Sequence, residues 1–203
     1  MDFSQPELLL PFSFYNRPVL HVAKDLLGKI LLRKQNGKIL SGKIVETEAY
    51  HETNDPSCHA HRGKTRRNAV MFGPPGHLYV YFTYGMHYCM NVVAEAEGIA
   101  AAVLIRALEP LSGIELMKSR RDEKFKEKDL CNGPAKLCQA FAITTKENGI
   151  SLLENKIWIA DSELVSSKQI AVSPRIGISS GQELPWRFYL KDNHFVSGKK
   201  NGK

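Results

Sequence analysis

Two apolar runs bounded by polar residues, KILLRK (29–34) and the segment 39–50, flank Asn36-Gly37. Two apolar, β-branched runs around an Asn-Gly pair predict a β-hairpin. Upstream, YNRPVLHVAKDLLGK predicts a helix: Asn16 is suited to cap it, Leu20, Ala23 and Leu27 share one face, and Gly28 is suited to end it in the left-handed conformation. Downstream, HLYVYFTYGMHYCMNVVAEA predicts strands over 77–83 and 88–94, broken at Tyr84-Gly85-Met86-His87. A third strand is expected over Ala101–Leu108 after the turn at Glu97-Gly98, which makes an antiparallel meander the economical arrangement.

Between hairpin and meander, His51 to Gly76 is polar and rich in Gly, Pro, Asn and His, the composition of a long ordered loop. After the meander, LSGIELMKSRRDEK predicts a helix over 111–124, and NGPAKLCQAFAI a second that opens at Pro134. The last third predicts a strand pair, ISLLENKIWIA with WRFYL, joined by the loop SPRIGISSGQELP. The basic tail from about 197 to 203 reads as a frayed end. The chain shows no internal repeat and no low-complexity segment, so one domain over 1–203 is expected.

Composition narrows the class. A chain of 203 residues, 43% hydrophobic, builds a substantial core without disulfides or metal staples. The four cysteines, Cys58, Cys89, Cys131 and Cys138, fall in no paired short spacing, so they read as free thiols of a cytoplasmic protein rather than zinc ligands. His59 and His61 crowd Cys58 in one loop without further ligands, so no metal is expected. The N-terminal MDFSQPELLLPF lacks the basic region and cleavage site of a signal peptide, and no apolar run is long enough to span a membrane. The formal net charge of +7 hints at a polyanionic partner.

Several residues carry candidate chemistry. A period of two places Ile44, Glu46, Glu48 and Tyr50 on one strand face and Val45, Thr47 and Ala49 on the other. The two carboxylates fit a solvated sheet edge or, alternatively, a pocket in which one acts as general base. Tyr79 and Tyr81 share a strand face, where Tyr79 suits ordinary sheet packing. Tyr84 lies in a tight turn with no core to join, a position from which an aromatic can stack on a base or wedge into a duplex. With His59 in the loop nearby, Tyr50 and Tyr81 could sandwich one base. HRGKTRRN gathers Lys64, Arg66 and Arg67, either a solvated run or a phosphate-binding patch. Asn91 and Arg106 are polar in otherwise apolar strands and need partners there. Glu46 is one candidate partner for Arg106.

VETEAY (45–50), MFGPPGHLYVYFTYGMHYCMNVV (71–93) and IRALEPL (105–111) closely resemble the alkyladenine, or 3-methyladenine, DNA glycosylase family. The likeness runs from about Val19 to Leu190. The resemblance implies a mixed α/β (α+β) domain with a curved antiparallel sheet flanked by helices. It implies a monomeric bacterial enzyme without cofactor that binds duplex DNA containing alkylated or deaminated purines. Such an enzyme flips the nucleotide out and hydrolyses the N-glycosidic bond without cutting the strand.

Carried over by position, Glu48 matches the general base, with Arg106 beside the catalytic water and the phosphate. Tyr50, His59 and Tyr81 match the groups around the flipped base, and Asn91 the group that crowds the 2-amino group of guanine. Tyr84 matches the wedge. Met86, His87, Lys64, Thr65, Arg66 and Arg67 are the further candidate DNA contacts. His51-Glu52 and His87 depart from the usual pattern and are candidates for tuning substrate range. The alternatives are a non-catalytic protein that binds damaged or distorted DNA and an RNA-binding protein built on the same tyrosines.

Overall fold

The computed structural model describes residues 8–122, 124–162 and 164–198. The chain opens with a short helix, α1 (Phe12–Tyr15), and a second, α2 (Val19–Asp25). The expected capping role of Asn16 is corrected. Asn16 closes α1, Pro18 precedes α2, and the Glu95 carboxylate accepts the Val19 N–H at 2.8 Å in place of a local cap. Pro18 supplies a fixed φ at the helix entry, so the cap comes from a distant turn. Gly28 does take a positive φ of 87° after the helix.

The hairpin forms as predicted, with β1 (Ile30–Gln35) antiparallel to β2 (Lys38–His51) around Asn36-Gly37. β3 (Leu78–Thr83), β4 (His87–Val93) and β5 (Ala101–Ser112) make the expected meander. β5 runs four residues past the predicted end, because its C-terminal part pairs back onto β2 as far as Ser41–Ser112. Gly113, at φ 74°, then turns the chain into α3 (Ile114–Arg121), shorter than the predicted helix. α4 (Glu127–Leu130) follows, and α5 (Pro134–Ala140) opens at Pro134.

The predicted pairing in the last third is corrected. Only Ile157–Ala160 of ISLLENKIWIA is a strand, β6, and it pairs with β1. An additional strand, β7 (Ile170–Ser173), pairs with β8 (Arg187–Leu190), and β8 also pairs with β2 at Glu46–Glu48. The sheet is antiparallel throughout, ordered β3-β4-β5-β2-β1-β6, with β8 and β7 branching from β2. The fourteen residues of β2 thus have β5 along one side and β1, then β8, along the other.

Strand alternation sorts the two faces. Ala49, Leu78, Val80, Met90, Val92, Val103 and Ile105 join the main core, with Val22, Leu26, Met117, Leu137 and Phe141 from the helical side. Each such large apolar side chain contributes about 1.5–3 kcal/mol when fully buried. Their neighbours Glu48, Tyr50, Tyr79, Tyr81, Cys89, Asn91, Ala102, Leu104 and Arg106 occupy the positions between. One expectation fails: Ile44 does not share the face of Glu46 but packs in the main core. The pairing slips around Glu46, with Ile44 opposite Leu108, Glu46 opposite Ala107 and Thr47 opposite Ile105. An irregularity of this kind breaks the period of two.

His51 still belongs to β2, and residues 52–76 form the expected irregular excursion with one short 3₁₀ turn, Ala69–Phe72. It closes at Gly76, whose φ is 77° and whose added Cβ would lie 2.9 Å from the fully buried Tyr15 ring. Gly76→Ala is expected to lower unfolding free energy by about 2–4 kcal/mol from strain and overpacking. Gly37→Ala, with nothing within 4 Å of the added Cβ, should cost only about 1 kcal/mol of backbone strain. Urea unfolding of both variants checks the difference, and equal losses would show that contact with Tyr15 is not limiting.

Candidate active site

β2, β3, β4 and β5 place their polar and aromatic residues around one cavity of about 460 Å³. Tyr50, His59, Tyr79, Tyr81, Asn91 and Arg106 line it, and Tyr84 stands at its rim. Ile176–Ser180 of the loop before β8 form the facing wall.

Glu48 lies just beneath this lining with none of its surface exposed. Its Oε1 accepts the Ile176 N–H at 2.7 Å, and its Oε2 accepts the Tyr50 hydroxyl at 2.8 Å. Arg106 Nη1 stands 3.2 Å from Oε2. Glu48 therefore accepts two hydrogen bonds and is charge-paired with the Arg106 guanidinium. Burial, then the neighbouring Glu48 charge, pushes the Tyr50 phenol far above its ordinary range, so it stays protonated and remains a donor.

Glu46, also wholly buried, faces a different set of partners. Its Oε1 accepts from Arg106 Nε at 3.0 Å and from Arg187 Nε at 2.6 Å, and its Oε2 accepts the Ser197 N–H at 2.6 Å. Arg106 Nη2 also reaches Ser197 Oγ at 3.3 Å, and Arg187 Nη2 the Ser197 carbonyl at 3.1 Å. The Glu46–Arg106 pairing that the sequence suggested is present, and the solvated-edge alternative for the two carboxylates is not. The tail expected to fray from about 197 begins with a fixed residue, and 199–203 lie outside the described residues. Despite the desolvation of the Arg106 guanidinium, the Glu48 and Glu46 charges raise its pKa and keep it a cation.

The aromatic wall is built by β3. His59 Nδ1 is 2.9 Å from the Tyr79 hydroxyl, and its ring meets the Tyr81 ring edge-on at 4.5 Å. Although the outer part of His59 is open, partial burial and then the Arg67 cation lower its pKa and favour the neutral ring. Tyr79 is packed as expected of a sheet residue, yet its hydroxyl, pushed up to about 12 by burial, also holds His59. Asn91 Nδ2 donates to the Tyr79 carbonyl at 3.0 Å, so its place in the cavity wall is fixed.

Tyr84 is 81% exposed at the tip between β3 and β4. Its φ of 51° is uncommon for a bulky residue, and with Gly85 at 69° it makes a tight reversal closed by Met86 N–H to the Thr83 carbonyl at 3.3 Å. Met86 and His87 are exposed beside it, outside the cavity lining. Lys64, Thr65, Arg66 and Arg67 are exposed on the neighbouring loop. Arg67 ties that loop to the hairpin, with Nη2 3.3 Å from the Phe82 carbonyl and the guanidinium 5.5 Å from the Tyr81 ring centre. Cys58, His59 and His61 do not converge: Cys58 Sγ accepts the Ala60 N–H, His59 turns to Tyr79, and His61 to the Glu52 carbonyl.

Sequence reasoning missed the parts supplied by the last third: Arg187, Ser197, the Ile176 N–H and Arg175. It also missed Asp55, which binds Arg175. The charged residues within the otherwise apolar WRFYL and beside the Gly-rich loop were the available signal for Arg187 and Arg175.

The chain matches the family described as Methylpurine-DNA glycosylase (MPG) over residues 13–194. It is 61% identical over 193 residues to a protein of Carboxydothermus hydrogenoformans, covering 95% of this chain and 100% of that one. It is 53% identical over 183 residues to a Francisella tularensis protein (89% and 94% covered) and 48% identical over 195 residues to a Burkholderia cenocepacia protein (95% and 93% covered). Each of these relatives bears the name "Putative 3-methyladenine DNA glycosylase". The chain therefore belongs to the methylpurine-DNA glycosylase family. At the level of the family, that is a class of DNA glycosylases acting on alkylated purines.

Removing the charge of Glu46 leaves two buried guanidinium groups without their shared carboxylate. Glu46→Gln is expected to cost about 3–5 kcal/mol of unfolding free energy, read from urea denaturation. An unchanged midpoint would show that Arg106 and Arg187 are compensated by other groups.

Proposed function

We propose that the protein is a monofunctional DNA glycosylase that flips an alkylated or deaminated purine into the cavity and hydrolyses its N-glycosidic bond. The observation that carries this reading is Glu48: buried, held by two hydrogen bonds and the Arg106 ion pair, directly beneath a cavity walled by tyrosines.

In this reading the bond from C1′ to the base nitrogen breaks as positive charge develops on the sugar, which the Glu48 carboxylate stabilises. Water oxygen bonds to C1′ and passes its proton to Glu48. An alkylated cationic base such as 3-methyladenine or 7-methylguanine takes the bonding electrons and leaves neutral. Hypoxanthine and ethenoadenine carry no such charge and need hydrogen bonds to the departing base. Arg106 holds Glu48 and, in this reading, meets the flipped nucleotide's phosphate.

Tyr50, His59 and Tyr81 enclose the base, and Asn91 crowds a purine bearing a 2-amino group. Tyr84 fills the gap left in the duplex, with Met86 and His87 beside it. Lys64, Thr65, Arg66 and Arg67 take phosphates, giving affinity and register without sequence readout. No lysine lines the cavity among the described residues, which favours hydrolysis over a Schiff-base route and strand cleavage. Among the described residues no helix is long and apolar enough to cross a membrane.

Single-turnover base release from methylated duplex DNA in EDTA tests the reading. The parent is expected to release 3-methyladenine and leave strands intact until alkaline treatment, whereas Glu48→Gln should bind the same duplex and lose at least about 100-fold in rate. Release by Glu48→Gln at the parental rate would remove Glu48 as the base. Binding by the parent without release would favour a non-catalytic damage-binding protein.

Tyr84→Ala is expected to weaken binding to a paired lesion duplex by about 1–3 kcal/mol, from lost stacking. It should weaken binding less where the lesion is already unpaired. Equal loss on both duplexes would contradict the wedge.

A further inference from the structure

Packed against the Tyr50 ring, outside the cavity lining, lies another buried ion pair. Arg175 and Asp55 expose none of their side-chain surface and bond in a two-pronged arrangement, Nη1 to Oδ2 and Nη2 to Oδ1, each at 2.7 Å. Nη1 also reaches the Ala49 carbonyl at 3.0 Å and Nη2 the Gly181 carbonyl at 3.4 Å. The guanidinium carbon sits 4.6 Å from the centre of the Tyr50 ring and 5.4 Å from Trp186. Tyr50 lines the cavity and Arg175 does not, so the ring separates the cation from any base in the cavity.

We infer that Arg175 is a specificity-determining residue: its guanidinium, stacked behind Tyr50, lowers the preference of the base pocket for cationic purines relative to neutral ones. The inference rests on the glycosylase reading above and deepens it.

The physical reason is the quadrupole of the ring. A tyrosine face attracts a cation through its π electron density. With one cation already on the far face, that density is drawn away from the cavity, and a second cation on the near face gains less. A neutral base, which stacks mainly through dispersion and shape, keeps its interaction. Asp55 offsets part of the Arg175 charge and so sets how strongly the effect is felt. Arg175 also fixes the loop whose next residue, Ile176, donates to Glu48, so loss of position must be distinguished from loss of charge.

The test uses duplexes with a single 7-methylguanine, which is cationic, or a single hypoxanthine, which is neutral. Single-turnover release is measured for the parent, for Asp55→Asn, and for the double variant Asp55→Asn/Arg175→Gln, whose amides retain hydrogen-bonding capacity without charge. The double variant is expected to raise the ratio of 7-methylguanine to hypoxanthine release about three- to tenfold. Asp55→Asn, which leaves the Arg175 charge less compensated, is expected to lower the ratio.

A purely positioning role would slow both substrates and leave the ratio unchanged, and that result overturns the inference. A parent with no detectable hypoxanthine release overturns it as well. If the double variant does not fold, the direction of the Asp55→Asn shift decides. The same ratio is read as binding affinity in the Glu48→Gln background, so a protein that binds lesions without releasing them would defeat the glycosylase reading while still testing the role of Arg175.

Discussion

Glu46 and Glu48 stand two residues apart on the central strand with no exposed surface, and charge buried in this way has to be matched within hydrogen-bond distance or expelled. Arg106 answers to both, with Nε on Glu46 and Nη1 on Glu48. Arg187 adds a second cation to Glu46, so two carboxylates and two guanidinium groups balance across the join of three strands. The local slip in β2–β5 pairing falls at this point. Ser197 closes the network from the end of the described chain.

The placement of Glu48 follows from that balance. Its partners come from three separate places: Tyr50 from the same strand and Ile176 from the loop before β8 by hydrogen bonds, and Arg106 from β5 by charge. A side chain fixed from three directions loses little freedom on meeting a further ligand, and such preorganisation is what makes electrostatic stabilisation effective. The cavity above it is walled by aromatic side chains held by their own bonds, Tyr50 to Glu48 and Tyr79 to His59. The exposed Tyr84, in contrast, is fixed only through backbone, by the reversal that bears it.

Much of this was legible in the sequence. Asn36-Gly37 announced the hairpin, Pro134 opened its helix, and the alternation in LYVYFT placed Tyr79 and Tyr81 on a common face. Local rules sufficed because turn dihedrals and strand alternation are set by neighbouring residues. The same rules misplaced Ile44, whose face depends on a slip against a strand some sixty residues away, and gave Asn16 a cap that Glu95 supplies. The pairing of β6 with β1 and of β8 with β2 and β7 was likewise hidden, since short strands of similar composition carry no mark of their partner.

By itself the sequence determined the hairpin, the meander, the motifs that resemble a glycosylase family, and which side chains on β2 to β5 could share a surface. Tertiary structure decided which charges meet. Arg187, Ser197, Arg175 and Asp55 come from segments with no shared periodicity, and only folding brings them to Glu46 and to the back of Tyr50. The reason is energetic: within a strand, steric alternation directs each side chain, whereas the choice of partner for a buried charge is made by the low-dielectric interior.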